Sequence, residues 1–355
     1  MSRFLAGRLQ TLAPYVPGEQ PQDQQYVKLN TNESPFPPSP RVVEALNRAI
    51  ISQLNLYPDP LAKTLCKTIA DTYGLAARNV FVGNGSDEVL AFAFMAYGDG
   101  RGFAFPEISY GFYPVYARLY GLQATKVPLN KDFSVPAEKF CNLGKPIAIA
   151  NPNAPTSLAM KLSDIEGILL TNPDSVVLID EAYIDYGGES CLPLLEKYLN
   201  LLIVRTYSKS RSLAGGRLGY ALASEEIVDD LNRIKNSFNP YSINSLTMLA
   251  GIEAMRDRAY FTECVSATVA QREQTKADLR GLGFTVLDSA SNFLFAAPPH
   301  MAGEAYYKGL KQKGVLVRYF NDPKLKDYVR ITVGSARQMQ TLLDKTKELI
   351  QEATA

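Results

Sequence analysis

Short apolar segments alternate with segments of helical pattern between residues 80 and 223, and this alternation constrains the fold more than any other feature. Most of the apolar segments are continuous and rich in β-branched residues, which is typical of parallel strands buried on both faces. The candidate strands are NVFVG (79–83), RGFAF (101–105), KPIAIAN (145–151), SVVLID (175–180), NLLIVRT (200–206) and LGYALAS (218–224). We therefore predict an α/β fold with a largely parallel sheet between helices.

The length of 355 residues suggests two domains, and the pattern along the chain divides it into three segments. Residues 1–38, rich in Pro, Gln and Asn, are predicted to be an extended N-terminal arm. Residues 39–242 are predicted to form a large domain, whose first helix begins at Ser39 because a serine cap precedes a first-turn proline. Residues 243–355 are predicted to form a smaller α+β domain, in which 243–281 is one long helix or two joined helices.

Charge and composition exclude several classes of function. The 37 basic and 36 acidic residues give a net charge of +1, so no basic surface is expected for nucleic acid or anionic lipid. No apolar run is long enough to span a membrane, and no secretory signal is recognisable. The four cysteines are scattered and are predicted to be buried thiols of a cytoplasmic protein. The single histidine, His300, makes a metal site or a Ser-His-Asp triad an unfavourable interpretation, and we predict no metal.

Polar or aromatic side chains follow five of the candidate strands, where ligands bind in open α/β sheets. These segments are residues 84–88, 109–111, 151–156, 180–183 and 206–209. Each has a structural explanation when taken alone: a turn, a helix cap, a packed ring or a surface charge. The glycine patterns of dinucleotide and nucleotide-triphosphate sites are missing. The combination at successive strand ends nevertheless predicts one ligand site.

A phosphorylated pyridine aldehyde, pyridoxal phosphate, would use all of these groups. Its aldehyde forms a Schiff base with a lysine, its ring nitrogen needs a carboxylate, and its ring packs on an aromatic side chain. Lys209, Asp180 and Tyr110 are predicted to supply these groups. Its phosphate needs helix N-terminal N–H groups, hydroxyls and an arginine. The predicted phosphate-binding residues are Gly85, Ser86, Asp87, Ser208 and Arg217.

A set of motifs extends over nearly the whole chain. They are LAPY (12–15), LNTNESPFPP (29–38), YPDP (57–60), GNGSDE (83–88), SYGFY (109–113), NPNAPTS (151–157), LIDEAYIDY (178–186), TYSKSRSLAGGRLGY (206–220) and VRITVGS (329–335). With these motifs the chain resembles the fold-type I pyridoxal-phosphate aminotransferases, and within them the histidinol-phosphate aminotransferases. The resemblance implies a seven-stranded, mostly parallel sheet, a homodimer, and amino transfer between L-histidinol phosphate and 2-oxoglutarate in histidine biosynthesis.

The resemblance also implies roles for residues that the strand ends alone do not single out. Tyr183 would act beside Lys209 and bind the phenolic oxygen of the cofactor. Tyr57 would reach the site of the neighbouring subunit. Tyr15 would close over the substrate, and Asn32 would line the site.

One motif departs from the family pattern. The chain has Asn-Ala-Pro-Thr-Ser at 153–157 where the family usually has Asn-Asn-Pro-Thr-Gly. Ala154 therefore stands where relatives have an asparagine that contacts the cofactor. We predict that Asn153 binds the cofactor instead. The alternatives are that Asn151 does so or that Tyr183 acts alone. Ser157 replaces the final glycine and indicates a different turn.

The resemblance also implies that two arginines late in the chain, Arg318 and Arg330, bind the substrate phosphate, and two guanidinium groups suit a dianion. A threonine-phosphate decarboxylase on the same fold would use them equally well, and an aromatic amino-acid aminotransferase would share the cofactor residues. A non-catalytic regulator on this scaffold is disfavoured because no segment is left for a DNA-binding domain. A nicotinamide-dependent dehydrogenase lacks its glycine fingerprint.

Overall fold

The computed structural model describes residues 5–49 and 51–354, so the first four residues of the predicted arm lie outside it. The described residues contain thirteen strands and ten α-helices. The strands are β1 (Val27–Lys28), β2 (Val80–Gly83), β3 (Phe103–Pro106), β4 (Ala124–Val127), β5 (Ile147–Ala150), β6 (Val177–Asp180), β7 (Leu201–Thr206), β8 (Gly219–Ala223), β9 (Thr285–Val286), β10 (Phe293–Ala297), β11 (Val315–Leu316), β12 (Arg318–Tyr319) and β13 (Val329–Thr332). The helices are α1 (Pro40–Asn47), α2 (Lys63–Tyr73), α3 (Gly85–Tyr97), α4 (Tyr113–Leu119), α5 (Leu162–Thr171), α6 (Glu225–Phe238), α7 (Ser245–Arg256), α8 (Arg258–Gly281), α9 (Gly303–Gln312) and α10 (Ala336–Thr354).

Seven strands form the central sheet, in the order β2-β8-β7-β6-β5-β3-β4. Neighbours from β7 to β4 are parallel, and β8 is antiparallel to both β7 and β2. The six predicted strands are all present, and the predicted mostly parallel α/β fold is confirmed. The sequence prediction omits β4, since only Val127 of this edge strand is buried and its sequence, ATKV, has no apolar run.

Successive side chains of each central strand enter two different cores, because side chains alternate along a strand. Leu178 and Val204 pack with α3, α4 and α6, whereas Ile179 and Ile203 pack with α1, α2, α5 and α7. Full burial of such a side chain contributes about 1.5–3 kcal/mol relative to exposure. Helices therefore cover both faces, and ligands have access to the sheet at its edges.

The C-terminal part of the chain forms a four-stranded antiparallel sheet, in the order β12-β13-β10-β9, packed against α8 and α9. The N-terminal arm joins this part, since β1 pairs in parallel with β11. Helix α7 instead packs on α1 and α2, so the start of segment 243–355 lies on the large N-terminal body. The domain boundaries themselves remain a prediction.

Side-chain caps fix several helix starts, among them those of α1, α7 and α8. The Ser39 hydroxyl accepts a hydrogen bond from the Val42 N–H at 3.3 Å, as the serine-proline pair predicts. Asn244 and Asp257 cap α7 and α8 in the same way. Because Asp257 separates them, residues 243–281 form two joined helices, one of the two predicted arrangements. None of the helices in the described part of the chain is long and apolar enough to span a membrane.

Two glycines provide a test of the close contact between β8 and the start of α3. A Cβ on Gly219 would lie 2.2 Å from the Ser86 backbone nitrogen, whereas a Cβ on Gly167, inside α5, would meet nothing within 4 Å. We expect Gly219→Ala to lower the free energy of unfolding by roughly 1–3 kcal/mol. Gly167→Ala, its control, should raise it by about 0.5–1 kcal/mol. Urea unfolding measures both, and equal effects would contradict the contact.

Candidate active site

A cavity of about 410 Å³ lies at the carboxyl ends of the central strands, between the arm and the C-terminal sheet. Most predicted site residues line it. They are Tyr15, Asn32, Ser86, Asp87, Tyr110, Asp180, Tyr183, Ser208, Lys209, Arg217, Arg318 and Arg330. Gly85, Asn153 and Tyr57 are the predicted residues that do not line it. Residues far apart in sequence therefore converge on one site.

Asp180 ends β6 with its carboxylate buried against the cavity. Its Oδ2 accepts a hydrogen bond from the Tyr113 hydroxyl at 3.1 Å, and its Oδ1 accepts one from the Ala182 N–H at 3.1 Å. Burial raises the pKa of Asp180 to about 7, and the negative charges of Asp87 and Glu181 act in the same direction. Tyr113 belongs to the motif SYGFY, but nothing in the sequence indicates that it orients the Asp180 carboxylate.

Lys209 follows β7 by three residues and extends into the same cavity. Its Nζ donates to the Thr31 carbonyl at 3.1 Å and lies 5.8 Å from the centre of the Tyr183 ring. Burial lowers the pKa of Lys209 to about 8, and the nearby Arg330 acts in the same direction. A lysine amine that loses its proton near neutral pH can act as a nucleophile or a base.

A cluster of polar side chains lies at the start of α3. Arg217 donates from Nη2 to Asp87 Oδ2 at 3.1 Å and from Nη1 to the Ser208 hydroxyl at 3.4 Å. The Tyr110 hydroxyl donates to the other Asp87 oxygen at 2.7 Å. Gly85 has φ +80°, and a Cβ there would lie 2.5 Å from Arg217 Nη2. Gly85 therefore acts by leaving room for the guanidinium beside the helix N-terminus, where anions bind.

The opposite wall of the cavity carries two arginines side by side, because Arg318 of β12 pairs with Arg330 of β13. Arg330 Nη2 donates to the Asn30 carbonyl at 3.0 Å, while its buried Nε has no hydrogen-bond partner among the described residues. Arg318 donates to the backbone carbonyls of Val16 at 3.0 Å and Pro17 at 3.1 Å. A buried guanidinium with an unpaired N–H fits an anionic ligand.

The N-terminal arm contributes two side chains. The Tyr15 ring stacks on Phe112, with 4.2 Å between ring centres, and covers one side of the cavity. Asn32 Nδ2 donates to the Tyr183 hydroxyl at 3.0 Å, and Asn32 Oδ1 accepts from the Thr332 hydroxyl at 3.0 Å. Asn32 thus connects the arm and the C-terminal sheet to Tyr183. Burial raises the pKa of Tyr183, so its hydroxyl keeps its proton.

Asn153 does not line the cavity, so its contact with the cofactor stays a prediction. Asn153 is fully buried; its amide donates to the Ile108 carbonyl at 3.0 Å, and its Oδ1 accepts from the Ser109 hydroxyl at 2.8 Å. These bonds tie the loop that follows β5 to the loop that follows β3, and the Asn153 side chain does not line the cavity. Ala154 lines the cavity instead, and the amide that reaches Tyr183 comes from Asn32.

Tyr57 lies outside the cavity of its own chain. Its side chain is 81% exposed, and its ring stacks on Tyr241 with 4.4 Å between ring centres. Tyr57 does not reach the cavity of its own chain, so its role stays a prediction.

The cavity combines the Lys209 amine and the Asp180 carboxylate with the start of α3 and with two arginines. The chain matches the family "Aminotransferase class I and II" over residues 24–345. It therefore belongs to this family, and it is an aminotransferase.

Full-length relatives are more specific. The chain is 48% identical over 353 residues to a histidinol-phosphate aminotransferase of Brachyspira hyodysenteriae, covering 99% of this chain and 100% of that one. It is 49% identical over 353 residues to a histidinol-phosphate aminotransferase of Marinomonas sp., covering 98% and 100%. The fold is similar to that of a Sinorhizobium meliloti histidinol-phosphate aminotransferase in complex with pyridoxal-5'-phosphate, with a TM-score of 0.88, 22% identity and coverage of 99% and 98%.

The raised pKa of Asp180 predicts a pH dependence of the cofactor-free protein. Asp180 stays protonated in the folded chain up to about pH 7 but ionises near its ordinary value of 3.8 when the chain unfolds. The stabilisation of the folded state by protonated Asp180 is therefore full below about pH 4 and decreases as the pH rises towards 7. We expect the free energy of unfolding to fall over this window more steeply in the wild type than in Asp180→Asn.

Urea unfolding of both cofactor-free proteins at about pH 5 and pH 7 measures this difference. The lowered pKa of Lys209, about 8, keeps its titration above the window. The same pH dependence in wild type and variant would contradict the prediction.

Proposed function

We propose that the chain transfers an amino group between L-histidinol phosphate and 2-oxoglutarate, as a step of histidine biosynthesis, with pyridoxal phosphate bound through Lys209. The observation that carries this proposal is the convergence of Lys209, Asp180 and Arg330 on one cavity. The names of the full-length relatives at 45–49% identity support the choice of substrate.

The residues present fit the cofactor. The buried Asp180 carboxylate has a raised pKa and no cationic partner, which suits a protonated ring nitrogen. The start of α3, with Ser208 and Arg217, suits the phosphate. The Tyr183 hydroxyl, oriented by Asn32, suits the phenolic oxygen. When bound, pyridoxal phosphate supplies an aldehyde that joins an amine and a ring that accepts an electron pair.

Asp180 holds the ring in its electron-accepting state. The Tyr113 hydroxyl and the Ala182 N–H orient its two oxygens, so the carboxylate binds a cation without further rearrangement. Ion pairing then offsets the desolvation that raises the pKa of Asp180 in the free site, and the carboxylate stays ionised.

Lys209 moves the proton. With the cofactor and the amino donor bound, the Lys209 Nζ would accept the α-proton of the substrate and later return a proton. Burial and the charge of Arg330 lower the pKa of Lys209 to about 8, which keeps part of the amine unprotonated at neutral pH. The Thr31 carbonyl, 3.1 Å from Nζ, holds the amine in the cavity.

Arg330 and Arg318 bind the distal anion of each substrate. The unpaired Nε of Arg330 offers a donor at no loss of an existing bond. A phosphate dianion gains more from two guanidinium groups than a monoanionic carboxylate does. Tyr15 covers the bound substrate and excludes water from the reacting atoms.

A second copy of the chain is part of the proposal. Exposed apolar side chains cluster in the segment that carries Tyr57 and at the end of α6. They are Ile51, Leu54, Leu56, Tyr57, Leu61, Phe238 and Tyr241. An exposed apolar surface of this kind marks an interface. In a homodimer, burial of this surface would bring Tyr57 to the site of the partner subunit.

We propose that this dimer works in the cytoplasm. All four cysteines are free thiols, and Cys66, Cys191 and Cys264 are buried. Free thiols of this kind are typical of proteins in a reducing compartment.

Donor specificity tests the substrate. Histidinol phosphate, threonine phosphate, phenylalanine and tyrosine are compared as donors with 2-oxoglutarate. We expect histidinol phosphate to be strongly preferred, with glutamate formed and no carbon dioxide released. In Arg330→Ala the kcat/KM for phosphorylated donors should fall by roughly 30-fold or more, since truncating a buried charged partner costs several kcal/mol.

Arg233→Ala, which removes a side chain that is 79% exposed on α6, is the control and should keep the wild-type preference. Equal rates with phenylalanine or tyrosine would favour the aromatic aminotransferase. Carbon dioxide release from threonine phosphate would favour the decarboxylase.

Mixed dimers test the placement of Tyr57. Lys209→Ala should be inactive and Tyr57→Ala strongly impaired when each is assayed alone. After the two variants are unfolded and refolded together, half of the dimers are mixed and each holds one intact site. Roughly a quarter of the wild-type activity should then return. If no activity returns although mixed dimers form, Tyr57 does not act across the interface.

A further inference from the structure

A buried charged network lies on the opposite face of the central sheet from the cavity. Its centre is Arg205, whose side chain is 7% exposed, paired with Glu181, whose side chain is 0% exposed. The register of β6 and β7 pairs Asp180 with Val204, so the next residue on each strand points to the other face. The network therefore begins directly beneath the cavity.

Hydrogen bonds continue the network to the lysine loop. Arg205 donates to Glu181 Oε2 from Nε at 3.0 Å and from Nη2 at 2.8 Å, and its Nη1 donates to Asp185 Oδ1 at 3.3 Å. The Ser210 hydroxyl donates to Asp185 Oδ2 at 2.5 Å. Glu181 follows Asp180 in the chain, and Ser210 follows Lys209. We define the brace as Glu181, Arg205, Asp185 and Ser210.

Filling a core with the charged side chains of the brace has a high cost in free energy. Burying an ion pair costs several kcal/mol per ion, and a well-packed apolar pair of the same size is often as stable or more stable. Its neighbours Tyr73 and Tyr220 place their rings in the surrounding core, and the Tyr73 hydroxyl accepts a hydrogen bond from Arg205 Nη1 at 3.2 Å. Directional bonds give what apolar packing does not, namely one fixed distance between two strand ends.

We propose that the brace positions Lys209 relative to Asp180, so that its four side chains are positioning residues for proton transfer although none of them lines the cavity. This inference rests on the proposed function, in which both residues act on one bound cofactor. Misplacement of a reacting group by about 1 Å can cost on the order of 100-fold in rate, so such a constraint is worth its energetic cost.

Lys209 is sensitive to its exact position because charges surround it. Besides burial, Arg330, Glu33, Asp87 and Arg217 set its proton affinity from the arm, the C-terminal sheet, α3 and its own loop. A small displacement changes its distance to each of them. The pH at which bound pyridoxal phosphate changes its visible absorption therefore reports the position of Lys209 without any substrate.

Ser210→Ala removes the last bond of the brace and leaves its charges in place. The control is Ser212→Ala in the same loop, whose hydroxyl donates to the Ser34 hydroxyl at 2.8 Å and does not touch the brace. Both proteins are loaded with pyridoxal phosphate and titrated between about pH 5 and pH 10. We expect the midpoint in Ser210→Ala to shift by at least about 0.5 pH units, the equivalent of an ordinary hydrogen bond, and the control to match the wild type.

A double-mutant cycle identifies the partner. Asp185→Ala leaves Arg205 paired with Glu181, so this variant keeps a neutral core. We expect it to shift the midpoint by itself and to make the further change Ser210→Ala nearly silent, because the two residues act through one bond. Rates with glutamate, expressed per bound cofactor, should fall roughly tenfold in kcat in Ser210→Ala with little change in KM.

The outcomes separate the two proposals. A wild type that forms no visible band with pyridoxal phosphate would overturn the proposed function. A normal band, with the midpoint of Ser210→Ala equal to that of Ser212→Ala, would overturn the brace. Equal losses of thermal stability in both variants without a shift in midpoint would show that Ser210 only stabilises the fold, and would also overturn it.

Discussion

The parallel pairing of β6 with β7 is the constraint on which the site depends. It places Asp180 beside Val204. Lys209, three residues beyond the end of β7, therefore emerges at the same edge of the sheet as the Asp180 carboxylate. Both strands are buried along their whole length. A shift in register by one residue would exchange the two faces and turn the Asp180 carboxylate away from the cavity.

Burial then supplies the chemistry. Asp180 is buried and Lys209 and Arg330 are partly buried, and in each the loss of water shifts the pKa so that the neutral form is favoured. The free site therefore stores an electrostatic cost that a ligand with complementary charges relieves. The same cost explains why the cavity walls are tied by so many backbone and hydroxyl contacts, since mobile charges would simply turn towards solvent.

Sequence patterns predict what depends on local chemistry. The buried strands, the capped helix at Ser39 and most cavity residues follow from apolar runs and motifs. Contacts between distant segments do not follow. Asn32 reaches Tyr183 across 151 positions, and Asn153 bonds to the loop that follows β3. The edge strand β4 is missed because exposure on one side removes its apolar signal.

Arg318 fastens the arm through main-chain oxygens, those of Val16 and Pro17. Carbonyl groups are common to every amino acid, so mutation of the side chains at these two positions leaves the acceptors in place. The side chains at positions 16 and 17 can therefore change without loss of the contact, whereas replacement of Arg318 removes it. Related chains are free to vary at the exposed positions of this part of the arm, including Val16, which is 70% exposed, as long as the Arg318 guanidinium is retained.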